Sequence, residues 1–185
     1  MRLLLLLLIF YCLWASDNNS VNSICWSENY KLTWRDFKGV PDTTTSFVNM
    51  KAATAYQLKR DYLIESGFPS YRIKAVFQRQ KSWTRDTLSI DLLSHEQRHF
   101  DIVELYARKM REGVSRLRLN KIREEQRYAE LIATSLKELK AYQREYDKET
   151  QNGVIDFIQT EWDSKITKQL RALEKYKSIS EDCEK

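Results

Sequence analysis

The sequence predicts an α+β fold, a small antiparallel sheet of about three strands followed by three long helices. Residues 24–80 carry most of the aromatic and β-branched strand signal, and residues 87–178 carry helical periodicity with almost no Gly or Pro. The character changes once, near Ser82. Strands first and helices afterwards place the helices on one side of the sheet, with no parallel crossover. Over 185 residues, 42% hydrophobic and 31% charged content with 4 Gly and 2 Pro excludes disordered, collagen-like and low-complexity chains, and the length suits one domain. The formal charge of +5 comes with no basic cluster, so no nucleic-acid partner is expected.

The N-terminus reads as a secretory signal peptide over residues 1–16. Arg2 precedes an apolar run from Leu3 to Trp14, and Ala15 and Ser16 supply small residues for cleavage before a polar stretch. The run is too short for a membrane-spanning helix, which needs about 20 residues. No later stretch is apolar enough to span, so residues 17–185 are expected to form one exported domain without an integral membrane segment. Cys12 follows the bulky Tyr11, which argues against a lipidated cysteine. Cleavage leaves Cys25 and Cys183, an even pair in an oxidising compartment, and a disulfide joining the two ends of the chain is expected.

Among the strands, Tyr71, Ile73, Ala75 and Phe77 alternate with Arg72, Lys74, Val76 and Gln78, the period of a strand with one buried face. Phe47–Lys59 is a weaker strand, Gly67 and Pro69 mark a hairpin loop before Tyr71, and Ile24–Trp34 offers a third strand. The first helix carries Leu92, His95, His99, Ile102, Tyr106, Met110 and Leu117 in one stripe. The second runs from about Asn120 to Thr150, with Tyr128, Ile132, Leu139, Tyr142 and Tyr146 on its face, and Asn152-Gly153 supplies a left-handed stop. The third uses Phe157, Ile158, Trp162, Ile166, Leu170, Leu173 and Tyr176. Charges such as Arg123, Glu124, Glu125 and Arg127 read as a solvated face. Trp34, Phe37 and Trp83 read as core anchors.

One segment carries specific chemistry. His95-Glu96-Gln97-Arg98-His99 satisfies H-E-x-x-H on a predicted helix. Two imidazoles four residues apart project from one face about one turn apart, close enough to ligate a single zinc at roughly 2.0 to 2.1 Å each. Glu96, about 100° further round, is placed to take a proton from a water that the metal activates, which makes it the expected general base. Two histidines placed at random in such a chain would stand four apart in roughly 1% of cases, and with Glu after the first in about 0.1%. This helix makes the fold zincin-like and the expected function zinc-dependent hydrolysis of peptide bonds, with a peptide or protein as substrate.

The stretch Leu92–Ile102, with Ser82-Trp83, Leu32-Thr33-Trp34-Arg35-Asp36-Phe37-Lys38-Gly39, and Tyr146-Asp147 with Thr150 and Gly153, resembles a family of bacterial secreted proteins. It is a domain-of-unknown-function family whose members are labelled zinc-dependent proteases. The resemblance spans nearly the whole exported chain and implies secretion, zinc and peptidase activity. The pattern at the end of the second helix resembles Tyr-Asp-x-x-Thr-x-His-Gly, and this chain has Asn152 where that histidine would stand.

A zinc hydrolase needs a third protein ligand, and both histidines are already used. Asp101 and Glu104 point away around the first helix, so the ligand comes from another element; those two carboxylates are expected at most to orient neighbours. Glu149 is the first choice, three residues past Tyr146 at the border of the apolar face, giving a gluzincin-like set; Asp147 is the alternative. Tyr146 is expected to be either an oxyanion donor or a core aromatic. Asn152 keeps a second function open, a degenerate zincin-like envelope protein that binds metal or a partner without catalysis. A helical adaptor with merely structural histidines is a third.

Overall fold

A computed structural model describes residues 22–41 and 50–178. The expected signal peptide at 1–16, Cys12, Cys183 and the start of the Phe47–Lys59 strand lie outside the described residues. Cys25 is disulfide-bonded. The architecture is α+β: a small antiparallel sheet and three helices. Strand β1 spans Ser23–Cys25, β2 Ala52–Ala53, β3 Tyr56–Glu65, β4 Phe68–Gln78 and β5 Trp83–Thr84. Helix α1 spans Ile90–Leu119, α2 Glu125–Thr150 and α3 Asp156–Ala172.

The main sheet has the order β1-β4-β3, and β2 pairs with β5 in a separate two-stranded ladder. The hairpin is tighter than the sequence suggests. Glu65 faces Phe68, and the turn is just Ser66 and Gly67, at φ 53° and 76°. Two positive φ angles in a two-residue loop match the right-handed twist of the flanking strands. Pro69 is therefore inside β4, opposite Ile64. The bond from Gln78 N to Ala55 O sets the ladder parity and makes Ile64–Pro69 a non-hydrogen-bonded pair. The N–H that Pro69 lacks would point away from β3, and β1 reaches only Val76–Gln78, so nothing is lost.

The expected strand at Ile24–Trp34 shortens to β1, because Trp34–Asp36 turns into a 3₁₀ segment. Asp36 draws it together, its Oδ2 accepting from Thr33 N at 2.8 Å, from Thr33 Oγ1 at 3.0 Å and from Tyr30 Oη at 2.9 Å. The weaker strand moves from Phe47–Lys59 to Tyr56–Glu65, with β2 as a separate short piece. Helix α2 starts at Glu125, five residues later than the periodicity suggests, since residues 120–124 form the link that folds α2 back along α1.

Helix α1 is the axis of the molecule. Ser89 caps it, accepting from Leu92 N at 3.1 Å, a bond of the kind that contributes about 1 kcal/mol. Between Phe100 and Arg108 every residue is buried, because β4 covers one face while α2 and α3 cover the others. The hydrophobic core runs from Ile73, Ala75 and Phe77 of β4 through Phe100, Val103 and Met110 to Ile132 and Leu139 of α2 and Trp162 and Ile166 of α3. Phe37 and Trp83 are buried and Trp34 packs against the core at its edge, as anchors should. Among the described residues no helix is long and apolar enough to cross a membrane.

Candidate metal centre

His95 and His99 lie one turn apart near the N-terminal end of α1, and α2 returns antiparallel so that its last turns, Gln143 to Asp147, face them. The three ligand atoms are His95 Nε2, His99 Nε2 and Asp147 Oδ1. The two Nε2 atoms are 3.1 Å apart, and Asp147 Oδ1 stands 3.3 Å from the first and 2.8 Å from the second. Ligands 2.0 to 2.1 Å from a tetrahedral centre are roughly 3.3 Å from one another, so this spacing fits one dication. Asp147 Oδ1 is buried without a well-directed hydrogen bond despite its two imidazole neighbours. The three atoms converge on a shared point.

The other ring nitrogens are held from behind. His95 Nδ1 lies 3.2 Å from Gln159 Oε1, and His99 Nδ1 lies 2.5 Å from Gln143 Oε1, whose own amide nitrogen donates to His99 O at 2.9 Å. A glutamine oxygen accepts, so each Nδ1 carries a proton and Nε2 is the nitrogen of each ring that faces the centre. Gln159 is held in turn, donating to Asp163 Oδ1 at 2.8 Å, and Asp163 accepts from Arg98 Nε at 2.8 Å. Sequence reasoning missed both glutamines. Gln143 is four residues before Asp147 and so shares its face, a signal that is readable only once Asp147 is chosen.

The cluster attracts positive charge. Burial pulls the His99 imidazole down, but the contact with Asp147, the nearby charges of Glu96 and Asp147, and the Gln143 bond outweigh it and lift the ring to about 9. Burial raises the Asp147 carboxyl, yet its contacts with His95 and His99 hold it well below the usual carboxylate range. A multivalent cation would satisfy the same field.

Glu96 is buried, and its Oε2 has no hydrogen-bond partner among the described residues. Such an atom costs free energy unless something polar completes it. It lines a cleft of about 600 Å³ together with His95, His99 and Asp147. Ala52 and Ala53 of β2 also line it.

The structure brings His95, Glu96, His99 and Asp147 together and leaves Glu149 out. Glu149 lies about 200° around α2 from Asp147, and its Oε2 accepts from Trp162 Nε1 at 2.8 Å. The apolar border it occupies faces α3, not α1. Tyr146 is fully buried, its ring stacked on His95 at 4.6 Å and 17° and its hydroxyl 2.7 Å from Gln159 Nε2. It does not open on the cleft, so the oxyanion role considered for it gives way to positioning the His95 ring. Asp101 and Glu104 are turned elsewhere, Asp101 accepting from Trp26 Nε1 at 2.8 Å and from Gln97 Nε2 at 2.9 Å.

The end of α2 presses on the site. Gln151, Asn152 and Gly153 take φ values of 50°, 54° and 80°, a run of three left-handed residues where the sequence suggests two. A Cβ on Gly153 would stand 2.9 Å from both Cβ and Cγ of His95. Gly153→Ala therefore combines a left-handed penalty with overpacking against the His95 ring, and should cost about 2 kcal/mol or more. Thermal unfolding should show the loss, and a metal titration should show weaker binding as the ring is pushed aside. Unchanged stability would mean that the turn yields freely.

These features define an α+β protein whose first two helices carry a His-His-Asp cluster with metal-binding geometry. The chain belongs to a bacterial family of proteins of unknown function, DUF922, over residues 30–153. The matched segment contains His95, Glu96, His99, Asp147 and Gly153 and stops short of α3. No curated protein and no solved structure matches the chain.

Proposed function

We propose that the chain is an exported, zincin-like zinc peptidase in which His95, His99 and Asp147 hold the metal and Glu96 is the general base. The observation that carries this reading is the convergence of three ligand atoms at mutual distances of 2.8 to 3.3 Å beside the unpartnered Glu96 Oε2. Two imidazoles and a carboxylate suit zinc and also ferrous iron. A free carboxylate next to the cluster favours hydrolysis, because that chemistry needs a proton acceptor.

A zinc ion at this point would polarise a carbonyl and bring the pKa of a water towards 7. Glu96 takes a proton from the attacking water as its oxygen bonds to the carbonyl carbon and the carbonyl π pair moves to oxygen. The same carboxyl then delivers that proton to the amide nitrogen as the C–N bond breaks, leaving an acid and an amine. Gln143 and Gln159 keep both rings in the tautomer that presents Nε2.

The cleft wall supports a peptide as substrate. Arg85 N donates to Lys51 O at 2.7 Å, so Lys51 and Ala53 direct their backbone groups to β5 and Ala52 directs its own to the opposite edge. That edge lines the cleft beside the cluster and suits an extended chain that adds as a strand.

The test is Glu96→Gln. The variant should keep about one zinc per chain and lose hydrolysis of a peptide library by at least about 10³-fold. Hydrolysis surviving in the variant removes Glu96 from the mechanism. Zinc bound by wild type with no cleavage of any peptide would favour the non-catalytic binding protein that Asn152 suggests.

A further inference from the structure

Resting on the peptidase reading, we infer that Tyr56 is the oxyanion donor of this site, its phenol bonding to the carbonyl oxygen as negative charge develops there. Hydrolysis moves an electron pair onto that oxygen, and a donor fixed beforehand stabilises it more than one that must be ordered during reaction. The cleft holds few candidates. Thr54 spends its hydroxyl proton on Glu96 O at 3.2 Å. Lys51, Gln151 and Asn152 line the cleft but are exposed, so their donors are hydrated and mobile.

Tyr56 differs from all of them. It opens β3, paired with Phe77, and its ring is half-buried against the hydrophobic core. Its hydroxyl has no hydrogen bond among the described residues, whereas that of Tyr146 is taken up by Gln159. It lines the same cleft as His95, Glu96, His99 and Asp147, on the strand that follows β2, and lies within electrostatic reach of Asp147. Burial, and after it the Asp147 charge, raises the phenol above its ordinary value. The group thus stays protonated and able to donate throughout the neutral range.

Tyr56→Phe tests this while keeping the ring and its packing. The zinc content should be unchanged, KM should move by less than about twofold, and kcat should fall by about 10² to 10³. A second readout needs no turnover. An alanine-based phosphinic peptide, whose tetrahedral oxygens mimic the developing charge, should bind the zinc-loaded variant at least about 10-fold more weakly than wild type, by calorimetry. A peptide thiol of the same sequence, which ligates the metal and carries no oxyanion, should bind both proteins equally. Equal phosphinate affinity in the two proteins, or parallel loss of both inhibitors, overturns the assignment of Tyr56 and leaves the peptidase reading intact. Wild type that takes up neither zinc nor either inhibitor overturns both.

Discussion

Asp147→Ala should strip the metal from the protein, raising the dissociation constant for zinc more than about 100-fold, beyond the 10- to 100-fold typical of losing an outer partner of a ligand. Metal analysis after dialysis should fall from about one zinc per chain to a small fraction of that, with hydrolysis lost in proportion. The physical reason is charge. Two neutral imidazoles and one carboxylate offset half the charge of a dication, and removing Asp147 leaves none of that compensation among the ligands. The control is Glu149→Ala. This side chain only accepts from Trp162 at 2.8 Å, so the variant should keep its zinc and lose about 1 kcal/mol of stability. Reversed outcomes, zinc lost with Glu149 and kept without Asp147, would refute the ligand set.

That pair of variants also marks where the sequence stops being informative. The period of α1 places His95 and His99 on one face, because the angle between residues on a single helix is fixed by geometry. Which carboxylate meets them depends on how α2 rolls against α1, and the candidates Asp147 and Glu149 both border the apolar stripe. Their burial separates them only after Trp162 of α3 claims Glu149. The hairpin was legible from Gly67 and from the alternation of β4, whereas Pro69 looked like loop, since the sequence does not say which ladder positions need an N–H. The helical stripe of α1 misled in the other direction. It suggested one buried face, yet Asp101, Glu104 and Arg108 are buried too, Asp101 beneath Trp26 and the other two beneath the end of α3 and residues 174–178. Two charges spaced at i and i+4 look alike in sequence whether they are solvated, as with Glu112 and Arg116, or sealed in the core.

Glu104→Ala should be the most destabilising single change away from the site, at about 3 to 5 kcal/mol, because it leaves Arg111 without its carboxylate and the buried Arg108 with only the exposed Glu174 as counter-charge. Glu104 is fully buried and Arg108 nearly so. Glu104 Oε1 accepts from Arg108 Nε at 3.0 Å and from Arg111 Nη1 at 3.1 Å, and its Oε2 accepts from Ser178 Oγ at 3.2 Å. Both arginines go on to bind backbone, Arg108 to Leu170 O at 2.6 Å and Arg111 to Ile73 O at 2.9 Å. The carboxylate thus ties the end of α3 and the middle of β4 to α1. Urea unfolding should show a lower midpoint at unchanged slope, with a melting temperature lower by on the order of 10 °C. Removing the half-buried partner of the exposed Arg116 in Glu112→Ala should cost less than about 1 kcal/mol. A double variant, Glu104→Met with Arg108→Leu, should recover part of the loss, since it removes the desolvated charge along with its partner. If Glu104→Ala proves as mild as Glu112→Ala, water reaches the arginines and the network does not clamp the three elements.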